Sequence, residues 1–141
     1  MAYIMSNYLE LPLTTRSKGT ERVPSVSGLN WGQRLGRNEN QAYLSVPVDV
    51  QRSEFFPPPG EQFMLHWDDG EQFVCVRAQQ NGKAIQTPYD NSILGKYFRR
   101  RLGVGEGDSI VMAHLVLYGR ASVEIFKDSG NQFYADFSSS K

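Results

Sequence analysis

The 141-residue sequence has one cysteine and two histidines. With Cys75 alone no internal disulfide can form, and its setting F-V-C-V-R reads as a buried strand position in a reducing compartment. His66 and His114 lie far apart among large apolar residues, so with Cys75 they make no zinc site of the usual spacing. They read as core or edge histidines. No stretch approaches the roughly 20 apolar residues of a membrane helix. The start, M-A-Y-I-M-S-N-Y, has no basic segment leading into an apolar one, so no secretory leader is expected. No G-x-x-x-x-G-K-[ST] phosphate loop and no G-x-S-x-G elbow occurs, and Gly103 and Gly105 do not complete a dinucleotide fingerprint. Asp68, Asp69 and Glu71 could be drawn as a carboxylate metal site, but a D-D-G hairpin turn accounts for them more simply. Neither catalysis nor a metal or cofactor is expected of this chain.

Net charge is also lacking: 15 Lys and Arg balance 15 Asp and Glu. The balance conceals segregation. Residues 77–103 carry Arg77, Lys83, Lys96, Arg99, Arg100 and Arg101 against Asp90 alone. Residues 16–41 carry Arg16, Lys18, Arg22, Arg34 and Arg37 against Glu21 and Glu39. Acidic stretches, 52–71 and 106–136, alternate with them. If the basic stretches meet in space, a polyanion docks on one face only. Amides are interleaved with the cations (Gln79, Gln80, Asn81, Gln86, Asn91), as suits a surface for phosphates and base edges; a solvated helix end beside a polar turn is the bland alternative. Hydrophobic residues make up 40% of the chain and aromatics 12%, enough for one domain with one core.

In chain order, residues 1–27 read as a loop-rich entry segment or linker with a short strand at Tyr8–Leu13. Residues 28–41, G-L-N-W-G-Q-R-L-G-R-N-E-N-Q, form a glycine-broken loop of amides and arginines around Trp31. Such side chains can bond adenine and guanine edges; a Trp31 packed on the core with polar groups in water is the alternative. Residues 42–46 alternate as a strand, and Pro47 suits the start of a short helix, Val48–Phe56. Strands 62–67 and 71–77 flank the D-D-G turn. Asn81-Gly82 marks a second hairpin into strand 84–87. Asp90 or Asn91 caps a helix, Ser92–Leu102, with Ile93, Leu94, Tyr97, Phe98 and Leu102 on one face and a left-handed cap at Gly103. Arg99–Arg101 crowd its last turn, where cations also suit the helix dipole. Segments 109–112, 114–117, 122–127 and 133–136 read as strands, and 138–141 as a frayed tail. The expected fold is mainly β, with about seven or eight short strands and two short helices, a closed or nearly closed barrel.

From Ala42 to Met112 the order of signals is specific: Y-L-S-V-P, a short helix ending F-F-P, a strand pair joined by D-D-G, an N-G arm, then T-P and a helix ending Y-F-R-R-R-L-G, followed by G-E-G-D-S-I-V. This order resembles the B3 family of DNA-binding domains, seven-stranded pseudobarrels. The segments S-G-L-N-W-G-Q-R-L-G-R-N-E-N-Q-A-Y and K-A-I-Q-T-P-Y-D-N-S-I-L-G-K-Y-F-R-R-R-L-G are more specifically similar to the C-terminal recognition domain of restriction endonucleases of the NgoAVII kind. The resemblance spans roughly residues 8–127, within an expected recognition domain at 28–137. Those enzymes join a phospholipase-D-type nuclease domain to a B3-like domain. Here the H-x-K pattern of such nucleases is missing, so the resemblance implies a recognition module alone. Its partners would be double-stranded DNA and a nuclease domain elsewhere in the full-length protein, and its setting the bacterial cytoplasm.

The resemblance also implies a mechanism: two arms grip DNA from the major groove, an N-terminal arm at 30–41 and a C-terminal arm at 79–86. By position it implies base contacts from Asn30, Gln33, Arg34, Arg37, Asn38, Asn40, Gln79, Asn81 and Gln86. Backbone contacts would come from Trp31, Gln41, Gln80, Lys83, Thr87, Asn91, Lys96, Arg99, Arg100 and Arg101, with Trp31 either against a sugar or propping the arm. Three alternatives remain at this stage. One is a metal-dependent nuclease using Asp68, Asp69 and Glu71. Another is a protein- or glycan-binding barrel, whose binding would not fall with salt. The third is a transcriptional regulator built on the same fold.

Overall fold

Residues 7–139 are described by the computed structural model of the chain. Seven strands form one sheet in the order β1 (Tyr8–Pro12), β8 (Ser122–Lys127), β9 (Gln132–Asp136), β5 (Phe63–Trp67), β6 (Gln72–Ala78), β7 (Ala84–Gln86) and β4 (Leu44–Ser45). All neighbours are antiparallel except β5 and β9. The edge strands β1 and β4 lie against each other, so the sheet curls into a nearly closed barrel. Inward residues recur every second position, as a pleated strand requires. Leu9 and Leu11 alternate with exposed Glu10 and Pro12, and Phe63, Leu65 and Trp67 with half-buried Met64 and His66.

Helix α1 (Val48–Gln51) is shorter than the expected 48–56, because the chain turns at Arg52 to bring Phe55 and Phe56 into the core. There they pack with Phe63 and Phe133 at ring separations of 5.0–5.8 Å. Helix α2 spans Ser92–Leu102 as the spacing predicts and ends at Gly103 with φ 72°. Leu94, Tyr97 and Phe98 are buried, whereas Ile93 is 39% exposed, so the buried face is narrower than expected. Cys75 is fully buried, and burial pushes its thiol up to about 12.

Three expectations are corrected. First, neither 109–112 nor 114–117 is a strand: residues 109–111 are irregular, and Met112 opens helix α3 (Met112–Tyr118), which takes in 114–117. The H-L-V-L run has no strand partner. His114 Nδ1 accepts the Val111 N–H at 2.9 Å, capping the helix, and Gly119 at φ 98° ends it. Second, the short strand expected at Tyr8–Leu13 is present as β1 (Tyr8–Pro12), but it is a full member of the barrel: it pairs along its length with β8, and Leu9 and Leu11 are fully buried. Third, the expected loop at 14–22 is a hairpin of β2 (Thr15–Ser17) and β3 (Thr20–Arg22). Its turn places Lys18 at φ 53° and Gly19 at φ 79°, the two positive angles that a tight two-residue hairpin requires. At the other end Ser138 bonds the Asp136 carboxylate through its N–H and hydroxyl; residues 140–141 of the expected frayed tail lie outside the described residues.

Candidate nucleic-acid interface

Two polar loops rise from neighbouring strands. The N-terminal arm runs from a 3-10 turn at Gly28–Gln33 to Gln41, just before β4. The C-terminal arm links β6 to β7 through a tight turn at Gln80–Gly82, with Asn81 at φ 60° and Gly82 at φ 65°. Strands β4 and β7 pair, Leu44 opposite Ile85 and Ser45 opposite Ala84, so the roots of the arms are joined. The Ala42 N–H bond to the Asn91 carbonyl, 3.2 Å, adds a second tie.

Many of the polar residues expected to meet DNA are engaged inside the protein. Asn30 is 1% exposed; its amide donates to the Pro24 and Ile110 carbonyls and its oxygen accepts the Ile110 N–H. Asn40 accepts the Gly107 N–H at 2.7 Å, and its own carbonyl lies against α2 at Gly95. Gln33 donates to the Glu39 and Gly107 carbonyls and accepts from Ser109. Thr87 is buried and bonds the Asp90 carbonyl. These four tie the arms to the body of the domain. Position in a loop conceals this, because an asparagine that reads a base and one that satisfies buried backbone look alike in sequence.

The arginine triplet divides three ways. Arg99 is fully buried, with its guanidinium donating to the carbonyls of Asp108 (2.9 Å), Gly95 (3.2 Å) and Glu39 (3.4 Å). It braces the N-terminal arm from beneath. Arg77, counted in the basic surface, is 5% exposed and donates to the carbonyls of Gly82, Asn81, Gln51 and Pro57, so it clamps the C-terminal arm in the same way. Burial lowers the pKa of both guanidiniums, but arginine stays charged at any ordinary pH. Arg101 forms a bidentate pair with Asp68 at 2.9 and 2.8 Å and also donates to Tyr97, Tyr118 and the Phe137 carbonyl. Arg100 is exposed beside Asp69 and Glu71, 3.9 and 4.0 Å away. The three acids once drawn as a metal site therefore face arginines, and among the described residues no cluster of acids, histidines or cysteines is placed to hold a metal.

The Asp68 knot gives a pH prediction. Burial raises its pKa, but the Arg101 bonds and the Phe137 N–H (2.7 Å) outweigh that and hold it below the ordinary carboxylate value. Asp90 is lowered by the Ser92 hydroxyl and N–H, and Asp136 chiefly by the Ser138 hydroxyl. A carboxylate depressed in the folded state stabilises it above the unfolded pKa of about 3.9 and loses that contribution as pH falls through the folded value. The urea midpoint is expected to stay level from neutral pH to about 5 and to fall below about 4. Asp68→Asn should lower it at neutral pH and flatten the acid limb.

The remaining arm residues differ in kind. Arg37 lies 3.6 Å over the Trp31 ring and donates to Gln41, and Trp31 meets Tyr43 edge-on at 5.3 Å. This stack props the arm. Arg34 is exposed, and its Nε donates to the Val26 carbonyl at 2.8 Å. Asn38 is exposed and turns the loop by accepting the Asn40 N–H. Gln79, Gln80, Asn81 and Lys83 are exposed on the C-terminal arm. Gln86 and Asn91, at its root, carry buried side-chain oxygens without a donor among the described residues, each a cost of about 1–3 kcal/mol. Lys96 is exposed on α2. One element was missed: the β2–β3 hairpin presents Arg16 and Arg22 on exposed strand positions and Lys18 at its tip. Thr14 and Thr15 line one cleft with Gly28, Leu29 and Ser45, so the hairpin springs from beside the N-terminal arm. The Lys18-Gly19 pair between Ser17 and Thr20 is the available signal.

A nearly closed barrel of seven strands, bearing two rigid-rooted polar arms beside its β4–β7 edge, has the architecture of a B3-like DNA-binding domain. The family model described as the NgoFVII C-terminal B3-like DNA-binding domain matches residues 4–129, and the chain belongs to that family. The matched residues include β1. No curated protein matches the sequence. No described helix is long and apolar enough to cross a membrane.

Proposed function

We propose that this domain reads double-stranded DNA sequence-specifically through the major groove, gripping it between the two arms. In this reading it is the target-recognition part of a restriction endonuclease whose nuclease domain lies elsewhere in the full-length protein. The observation that carries it is the division of labour within each arm. Buried Arg99, Asn30, Asn40 and Arg77 lock the roots, while Arg34, Asn38, Gln79, Gln80, Asn81 and Lys83 stand in water at the tips. A base-reading loop needs both: rigid backbone keeps the ordering cost of binding low, and unengaged donors and acceptors meet base edges. Arg34 is assigned to guanine and the amides of Asn38, Gln79 and Asn81 to adenine, each pairing contributing about 1–3 kcal/mol of discrimination. Lys83 and the hairpin cations Arg16, Lys18 and Arg22 hold phosphates and set the register.

The test is selection of the purified chain from a randomised duplex pool at near-physiological salt without metal. A short enriched motif is expected, bound less tightly as salt rises because phosphate contacts displace counterions. Arg34→Ala should relax one position of the motif rather than weaken every sequence equally. For the other arm Asn81→Gly is the cleaner change, since glycine keeps the φ of 60° that alanine would strain. Salt-sensitive retention without enrichment would reduce the domain to a nonspecific basic surface. No retention at all would leave the arms for a protein or glycan.

A further inference from the structure

Leu35 is the most exposed large hydrophobic residue described, at 103% relative exposure, and it sits at the tip of the N-terminal arm. The arm does not present it by accident of flexibility. The Arg37 N–H donates to the Arg34 carbonyl at 3.2 Å, closing a four-residue turn with Leu35 at its first corner and Gly36, φ 87°, at its second. A positive angle at the second corner is the mark of a type II turn. Each flank is anchored: Arg34 by the Val26 carbonyl, Arg37 by Trp31 and Gln41. A Cβ built on Gly36 would meet nothing within 4 Å, so the corner stands in open space. The residues on either side of it, Gln33, Arg34, Gly36, Arg37 and Asn38, are polar or glycine.

We infer that Leu35 is a specificity-determining residue that packs against the 5-methyl group of a thymine in the major groove. This rests on the DNA reading proposed above and deepens it. The thymine methyl is the one apolar feature that base pairs present in that groove. A leucine next to Arg34 is placed to add a hydrophobic contact to the hydrogen bonds of that arginine, and through it to distinguish an A·T pair at a fixed offset from the base met by Arg34.

The experiment replaces each thymine of the enriched site in turn, on both strands, by deoxyuridine, which removes the methyl and keeps every hydrogen-bonding group. For the unmodified protein one position should weaken binding about fourfold, the worth of burying one methyl group. Leu35→Ala should melt as the parent does, since the side chain is fully exposed. It should weaken binding to the thymine site and abolish the thymine–uracil difference at that position, leaving other positions unchanged. The inference is overturned by a site of G·C pairs only, by a flat uracil scan, or by a Leu35→Ala protein that keeps the same difference. It is equally overturned if 2-aminopurine in the site brightens on binding through Leu35, which would make the leucine a wedge between bases. These failures leave an enriched motif in hand; absence of any motif overturns the parent reading together with this one.

Discussion

Gly95→Ala is expected to destabilise the domain by about 3 kcal/mol, the upper end of the usual cost of over-packing. Helix propensity argues the opposite sign: alanine in place of glycine within a helix should stabilise by about 1 kcal/mol. Gly95 lies inside α2 with no positive φ to defend, so propensity has nothing local against it. The tertiary contact decides. A Cβ at this position would lie 1.6 Å from the Asn40 carbonyl oxygen and 2.7 Å from its carbon. Those atoms are backbone and cannot rotate aside. Asn40 is also held through its side chain by Gly107, and the chain beyond it by the Ala42–Asn91 bond. The N-terminal arm must lift off the helix or the helix must shift. Thermal unfolding of Gly95→Ala beside Lys96→Ala, an exposed change one residue along, measures this directly. A Gly95→Ala protein more stable than the parent would show that the arm is not seated on α2. Loss of stability should be accompanied by loss of motif selectivity on the N-terminal side, because the same contact positions Arg34 and Leu35.

The second large effect separates three arginines that look equivalent. Arg99→Met should cost about 3–4 kcal/mol, as carbonyls of the N-terminal arm, α2 and the 105–108 turn lose a common donor in the dry interior. For a domain of this size that is a fall in Tm on the order of 10 °C. Arg100→Ala, exposed beside Asp69 and Glu71, should change stability by no more than about 0.5 kcal/mol. Arg101→Met should fall between, since its bidentate Asp68 pair is half-buried. If the triplet were a phosphate clamp, all three would fold normally and lower DNA affinity in proportion to charge. An Arg99→Met protein of parental stability with weakened, less salt-sensitive binding would establish the clamp and overturn the structural role.

Some of this protein is determined by sequence alone. Local rules are enough where the signal and its cause lie within a few residues. Asp68-Asp69-Gly70 and Asn81-Gly82 are hairpin turns because glycine and asparagine accept positive φ, and Ser92–Leu102 is a helix closed by Gly103. The ordered succession of these signals also carried the family, which the match over residues 4–129 bears out. Helix α3 reads as strand in the sequence because a run of four residues between apolar neighbours has no period long enough to separate strand from helix. Tertiary structure alone decided the fate of the charges. Arg77 and Arg99 are interior and Arg101 is paired, while Arg34 and Lys83 on the arms, Lys96 on α2 and Arg16, Lys18 and Arg22 on the β2–β3 hairpin are exposed. A guanidinium supplies five donors whether they face a phosphate or a ring of backbone carbonyls, and the sequence is the same in both cases. Which one it meets depends on where chain segments dozens of residues apart come to rest, as when the carbonyls of Glu39 and Asp108 converge on Arg99.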